Sequence, residues 1–104
     1  MLVRFNNQYL QKLFEDKQIS GKPRYSADLI LKFKKTVLKL QYAENVRELR
    51  KFKGLNFEAL KGDLKGHYSV RVDIKYRLII RVEEEIIITI TDVIIIEDLL
   101  KHYE

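Results

Sequence analysis

Residues 60–82, with the sequence LKGDLKGHYSVRVDIKYRLIIRV, decide the fold because their apolar and polar residues alternate. Alternation with a period of two is typical of half-buried β-strands. Val70 and Val72 therefore share one face of a first strand, and Leu78 and Ile80 share the same face of a second. The segment predicts an antiparallel hairpin with one face on the core and the other toward solvent.

The length of the loop between these two strands sets which residues face each other. A three-residue loop at residues 73–75 pairs Val70 with Leu78, whereas a two-residue loop would put apolar residues opposite polar ones. The three-residue loop also places Arg71 opposite Arg77. Like charges directly opposite each other are unfavourable, so this face requires neutralising acids or an anionic ligand.

Two interpretations of the arginine face remain open. In the first, Glu58, Asp63 or Asp73 neutralises the arginines in surface ion pairs. In the second, the face continues to Arg81 and binds phosphate, because a planar guanidinium matches phosphate geometry. The preceding loop, KGDLKG at residues 61–66, holds two lysines between glycines and lacks the GxxxxGK[ST] spacing of a nucleotide-binding P-loop.

The N-terminal half shows helical spacing of apolar residues. Asn6 or Asn7 caps a first helix that runs to about Lys17, and Ser26 caps a longer helix through about Tyr42. A short helical piece follows at residues 45–51. The long helix is expected to bury one stripe of apolar residues, namely Ile30, Leu31, Phe33, Val37, Leu38 and Leu40.

The C-terminal part continues the sheet. An acidic turn at residues 83–85 leads to a third strand at 86–91, and the run 93–96 extends that strand or bends away from it. Helices followed by a strand meander predict an α+β fold, with N-terminal helices packed on one face of a small antiparallel sheet. The length and the absence of a linker predict one domain over residues 1–104.

Charge is distributed unevenly along the chain, whose net charge is +5. Residues 1–82 hold 19 of the 20 basic residues but only 8 of the 15 acidic ones. This asymmetry favours a polyanionic partner for the first part of the chain, although a solvated basic surface is the alternative. A lysine stripe on the long helix, at Lys32, Lys35 and Lys39, is more typical of a solvated face.

Composition excludes several classes of site. The chain has no cysteine, so disulfides, thiolate zinc sites and cysteine nucleophiles are absent. Two distant histidines and the lack of a carboxylate cluster argue against a metal site, and we expect no cofactor. The N-terminus lacks the apolar core of a signal peptide, and the apolar run 86–96 is too short to span a bilayer. We therefore expect a soluble, cytoplasmic protein without a membrane contact.

A larger pattern within residues 57–82 resembles a known family. The pattern LKGDxxGxYSVRV followed by YRLI, with His102 and Tyr103 near the C-terminus, resembles the HigB-like branch of the RelE/ParE toxin superfamily. Members are toxins of type II toxin–antitoxin pairs. The resemblance implies a RelE-like fold, a ribosome-dependent mRNA endonuclease that needs no metal, and a cognate antitoxin of the HigA-like, helix-turn-helix kind.

The resemblance also implies roles for individual residues. Lys61 matches a lysine of the family's LKG motif, Arg77 matches the arginine that holds the scissile phosphate, and His102 matches a histidine of a C-terminal Asp-Tyr-His group. These three are the predicted catalytic residues. Glu58 stands where HigB has a histidine, and the Asp and Tyr before His102 are missing. His67 is interpreted as structural. The predicted RNA-binding residues are Lys65, Arg71, Arg81 and Tyr103.

The expected chemistry follows from RNA itself. The 2′-hydroxyl supplies the nucleophile, so the protein has to move two protons and stabilise charge on the phosphorane. Arg77 is the candidate for charge stabilisation and His102 for proton transfer. Two alternatives stay open: a ParE-like toxin that inhibits a protein such as DNA gyrase, and a non-catalytic RNA-binding module.

Overall fold

A computed structural model describes residues 1–102 and shows three helices on a five-stranded mixed sheet. The strands lie in the order β1-β5-β4-β3-β2. The pairing of β1 with β5 is parallel and the other pairings are antiparallel. In chain order the elements are β1 (Leu2–Phe5), α1 (Gln8–Phe14), α2 (Ala27–Tyr42), α3 (Val46–Leu49), β2 (Glu58–Ala59), β3 (Tyr68–Arg71), β4 (Tyr76–Ile86) and β5 (Ile90–Lys101).

The predicted helix starts are confirmed by their caps. The side chain of Asn7 accepts from the Leu10 amide at the start of α1, and that of Ser26 accepts from the Leu29 amide at the start of α2. The first helix ends at Phe14, three residues before the predicted Lys17. Its end follows from Asp16, whose φ of 58° lies in the left-handed region and cannot continue a right-handed helix.

The predicted buried stripe of α2 is partly wrong. Phe33, Val37 and Leu40 are buried as expected, whereas Leu31 and Leu38 are 53% and 55% exposed. Their places in the core are taken by Leu29 and Thr36. The sheet contacts only one side of α2, so the residues that become buried are those on the same side of the helix as Phe33.

The acidic residues 83–85 do not form a turn, and the predicted strand 86–91 is wrong. Instead β4 runs to Ile86 and β5 begins at Ile90, so the turn lies at residues 87–89. Glu83 pairs with Arg81 and Glu85 pairs with Arg4, so two of the three acids are accommodated on a strand by ion pairs. The run 93–96 is an integral, buried part of β5.

The first strand, β1, was not predicted. It pairs in parallel with β5, with Leu2 opposite Val93 and Phe5 opposite Ile96. A four-residue strand before a helix cap gives little periodic signal. This strand makes the sheet mixed where a purely antiparallel one was expected.

The hairpin register predicted from parity is confirmed. Val70 lies opposite Leu78, and Arg71 lies opposite Arg77. One face of the sheet packs against the helices. The other face carries the arginines. The core residues supplied by the sheet to the helix side are Val70, Leu78, Ile80, Ile94, Ile96 and Leu99.

Candidate RNA-binding and catalytic site

A hollow of about 340 Å³ opens on the sheet face opposite the helices. Its polar side chains combine two cations, a carboxylate, a hydroxyl and an imidazole, while leucine and isoleucine form the rest of its wall. This mixture is typical of a binding site, where apolar walls exclude water and a few polar groups give specificity. The lining residues are Glu58, Leu60, Leu64, Ser69, Arg77, Ile79, Leu100, Lys101 and His102.

Arg77 is the central feature of the hollow. It lies in β4 between Arg71 on β3 and Leu100 on β5, and it is only 6% exposed. Its Nη1 atom is buried and has no hydrogen-bond partner within residues 1–102. Arg77 also forms no ion pair within residues 1–102, and a buried guanidinium without one is costly, so this site favours an anionic group that enters from outside the chain.

A β-bulge brings His102 to the same hollow. The register of β4 with β5 shifts between Ile79, opposite Asp98, and Ile80, opposite Ile96. The extra residue, Glu97, reverses the alternation of β5. Leu99 consequently faces the core and Leu100 faces Arg77. Bulges commonly re-aim side chains beside active sites.

The backbone after β5 is anchored as well. The amide of His102 donates to the carbonyl of Lys75 in the β3–β4 turn at 2.7 Å. This bond holds the end of β5 against the turn that begins the Arg77 strand. His102 thus lines the same hollow as Arg77, which brings together two of the three residues predicted to be catalytic.

Glu58 is the carboxylate that lines the hollow, and sequence reasoning gave it no catalytic role. It lies in β2 opposite Ser69 of β3, so both side chains belong to the arginine face. The sequence treated Glu58 only as a neutralising acid or as a departure from HigB. A strand of two residues is too short to show a period, so the sequence could not place Glu58 on this face.

Lys61 and Lys65 flank the short 3-10 turn Gly62–Leu64 and are exposed. Neither lysine lines the hollow, although Leu60 and Leu64 from the same loop do. Gly62 and Gly66 adopt positive φ values of 65° and 94°, which glycine tolerates without strain. The loop therefore forms one wall of the hollow and carries its lysines at the rim.

The other predicted arginines differ in their surroundings. Arg71 is exposed beside Arg77, and none of the ion pairs within residues 1–102 involves it. Arg81 instead donates to Glu97 at 2.5 Å and to Glu83 at 2.7 Å. These hydrogen bonds, first the one to Glu97, raise the pKa of Arg81. Arg81 is therefore neutralised by Glu83 and Glu97, and not by Glu58, Asp63 or Asp73, the acids that the sequence suggested.

Two further residues named from the sequence complete the description. Tyr103 lies outside the described residues. His67 has a buried Nδ1 atom with no hydrogen-bond partner within residues 1–102, while its backbone bonds to Leu60 and Leu64. Its structural role stays a prediction.

The structure, with helices on one face of a five-stranded sheet, is an α+β fold that has a RelE/ParE-like toxin among its structural neighbours. The fold is similar to a solved structure described as a YoeB/ParE toxin from Agrobacterium tumefaciens, with a TM-score of 0.54 and 20% identity. That likeness covers 99% of this chain and 100% of the other. A search among curated proteins finds no match.

The family follows from the sequence itself. The model of the RelE-like toxin of the type II toxin–antitoxin system HigB matches residues 3–93. The chain belongs to this HigB-like toxin family, as the motif around the hairpin indicated. A toxin of a type II pair has an antitoxin as its partner.

Within residues 1–102, no group of three or more His, Cys, Asp or Glu side chains is placed to hold a metal ion. Among the helices of that part of the chain, none is both long enough and apolar enough to cross a membrane.

Proposed function

We propose that this toxin is an endoribonuclease that cleaves mRNA on the ribosome, through the RNA 2′-hydroxyl and without a metal. Arg77 carries the proposal, because its side chain lines the hollow and its Nη1 has no hydrogen-bond partner within residues 1–102, so the guanidinium has unused capacity to bind a phosphate. A guanidinium fixed on a strand is suited to stabilise the charge that develops on the phosphorane.

The two proton transfers are assigned to the titratable groups that share the hollow with Arg77. Glu58 accepts the proton of the attacking 2′-hydroxyl, since a carboxylate at neutral pH is a base. His102 donates a proton to the leaving 5′ oxygen, because imidazole is the side chain that gives and takes protons near neutrality. Lys61 at the rim adds positive charge beside the same phosphate.

The remaining predicted contacts hold the RNA on either side of the cleaved bond. Arg71 and Lys65 present exposed cations next to the hollow and bind neighbouring phosphates. Arg81 contributes only if RNA competes with Glu83 and Glu97 for its guanidinium. Tyr103 is proposed to stack on an unpaired base. Because the proposed target is the ribosome, the proposed location is the cytoplasm, and the proposed antitoxin is HigA-like with a helix-turn-helix.

The test is induced expression in bacteria, with growth and the 5′ ends of mRNA as readouts. Arg77→Ala is expected to reduce cleavage by about 10²–10³-fold, and His102→Ala or Glu58→Gln by about 10²-fold or more. Lys61→Ala is expected to give a smaller loss. Lys53→Ala, which removes an exposed lysine that does not line the hollow, is the matched control and keeps full activity.

Two outcomes would contradict the proposal. Full toxicity of all the hollow variants would show that the site is wrong. Growth arrest with intact mRNA and induced DNA-damage signalling would show a protein target such as gyrase instead of RNA. Circular dichroism of each variant separates loss of activity from loss of the fold.

A further inference from the structure

The far half of the β4–β5 hairpin extends beyond the rest of the sheet. Pairing of β3 with β4 reaches Ile80, and pairing of β1 with β5 begins at Val93. Residues 82–92 therefore form a two-stranded projection, called here the arm, whose two edges have no strand beside them in the described chain. Unprotected strand edges and apolar tips are surfaces that other chains cover.

The arm ends in four exposed isoleucines, of which Ile88 is 94% exposed. Ile86 lies opposite Ile90, and the preceding pair on the same face is Glu84 opposite Asp92. By strand alternation this face continues the one that packs on the helices. From base to tip it therefore presents an acid pair and then an isoleucine pair. The four exposed residues are Ile86, Ile87, Ile88 and Ile90.

Two acids directly opposite each other are unfavourable unless a cation lies nearby. Asp92 accepts a hydrogen bond from the Val46 amide at 2.9 Å, and neither Asp92 nor Glu84 forms an ion pair within residues 1–102. Glu84 is exposed. On the helix-side face the arm thus has no apolar cover for its tip and no ion pair for its two acids, whereas Glu83 and Glu85 of the other face pair with Arg81 and Arg4.

A groove with the opposite character lies on the outer side of α2. It has a volume of about 470 Å³, and its charged lining residues within the described chain are lysines. Lys35 and Lys39 are one helical turn apart, as are Leu38 and Tyr42, so each pair shares one side of the helix. Phe52 forms the far wall.

The groove matches the arm in both pattern and position. A pair of lysines beside a pair of apolar residues complements an acid pair beside an isoleucine pair. Both features belong to the helix side of the molecule, and Val46, which bonds to the base of the arm, follows closely after the end of α2. No residue of the arm lines the groove of its own molecule, so another molecule has to supply the occupant.

We propose that the occupant is a second copy of this chain, with the arm of each copy in the groove of the other. A two-fold axis closes this arrangement and forms the contact twice, whereas a single non-reciprocal contact would continue into a filament. The hollow around Arg77 lies on the opposite face of the sheet and stays open in the dimer.

A charge exchange tests the pairing directly, with sedimentation velocity of the purified full chain as the readout. Glu84→Lys alone and Lys39→Glu alone each bring like charges together in both contacts, and each is expected to weaken dimerisation more than about tenfold. An equimolar mixture is expected to restore the dimer, because one contact then has exchanged charges and the other has the original ones. Failure of the mixture to dimerise contradicts the arrangement.

The apolar part of the contact is tested by Ile88→Glu. It is expected to give monomers, while Ile74→Glu, the same substitution at an 86% exposed isoleucine in the β3–β4 turn, leaves the dimer intact. Both positions are exposed, so the monomer keeps its circular dichroism spectrum. A dimer that tolerates Ile88→Glu, or one equally disrupted by Ile74→Glu, overturns the proposal.

Orientation is tested by cross-linking, which the absence of native cysteine makes specific. Ile88→Cys chains mixed with Leu38→Cys chains are expected to form a disulfide-linked heterodimer. Preferential linking of Ile88→Cys chains to one another would show tip-to-tip contact and overturn the arrangement. A monomeric wild-type chain at concentrations on the order of 100 µM would overturn it as well, and would assign the arm and groove to another partner.

Discussion

Arg77 is buried and has a guanidinium nitrogen without a hydrogen-bond partner. An apolar substitution at this position is therefore predicted to raise the stability of the fold and to abolish activity. Arg77→Met keeps most of the side-chain volume and removes the buried charge. Its free energy of unfolding is expected to rise by about 1 kcal/mol or more, since apolar replacement of buried ionic groups is often stabilising. Urea denaturation at pH 7 measures the change, and RNA cleavage is expected to be lost.

Arg81→Met is the matched control on the same strand and face. It removes the ion pairs of Arg81 with Glu83 and Glu97. Because the charge of Arg81 already has these partners, the substitution removes no unpaired charge that would offset the loss. Its free energy of unfolding is expected to fall by about 1 kcal/mol. If both variants change stability in the same direction, the explanation offered for Arg77 fails.

Glu97 predicts a pH dependence of stability. Burial alone raises the pKa of Glu97, but hydrogen bonds from Arg81 and Asn6 outweigh it and lower the pKa below the ordinary value of 4.5. A carboxyl with a lowered pKa stabilises the folded state above its unfolded pKa, and this contribution is lost as pH falls through the folded pKa. The stability difference between wild type and Glu97→Gln is therefore expected to shrink below about pH 4.5.

Urea denaturation at pH 7 and at several values below pH 5 measures that difference. Glu44→Gln, at an exposed acid that forms no ion pair within residues 1–102, is the control. Its stability difference from wild type is expected to stay constant with pH. A Glu97→Gln difference that is equally constant would contradict the role given to the Arg81 and Asn6 contacts.

At the scale of residues, the sequence could place Arg71 opposite Arg77 because strand parity and apolar matching allow one register. It could not place Glu58 in the hollow, since a two-residue strand has no measurable period. The approach of His102 to Arg77 was expected from a family motif alone. The physical cause of this approach is the bulge at Glu97. The preceding run of residues 93–96 is uniformly apolar, so it has no alternation that a bulge could interrupt.

The helix caps predict a ranking of stability at the scale of elements. Asn7 caps α1 and also donates to the Glu97 carbonyl at 3.1 Å, so it ties the helix to β5. The side chain of Ser26 caps α2 and makes no such second bond within residues 1–102. Asn7→Ala is expected to cost about 2 kcal/mol and Ser26→Ala about 1 kcal/mol. Thermal unfolding measures both, and equal costs would contradict the second role of Asn7.

Other elements show where a one-dimensional pattern stops being informative. Three consecutive glutamates suggested a turn, but Arg4 and Arg81 neutralise two of them on the strand. Arg4 comes from β1, the strand that the sequence did not reveal. The contact of Arg4 with Glu85 joins the two ends of the chain, and such contacts are not visible in local spacing.

The packing of helices on the sheet gives a prediction for the whole molecule. Phe33 is fully buried between α2 and the sheet, so Phe33→Ala is expected to cost about 3–5 kcal/mol, a large share of the stability of a small domain. Leu31→Ala in the same helix is expected to cost no more than about 0.5 kcal/mol because Leu31 is exposed. Urea denaturation checks both values, and a large effect at Leu31 would contradict the observed packing.

The two faces of the sheet serve separate purposes in this architecture. The helix side holds the core, and the opposite side holds the hollow around Arg77. The α+β plan was predictable because apolar periodicity distinguishes helices from strands. The position of the arm was not, since it depends on how far each strand extends past its neighbours.

The parallel pairing of β1 with β5 has a consequence for folding. Leu2 pairs with Val93 and Phe5 pairs with Ile96, so this contact closes a loop that contains most of the chain. Contacts between residues so far apart in sequence form slowly, because the entropy of closing a long loop has to be overcome first. A variant that lacks β5 is therefore expected to form neither the complete sheet nor the hollow, which needs Leu100 and His102.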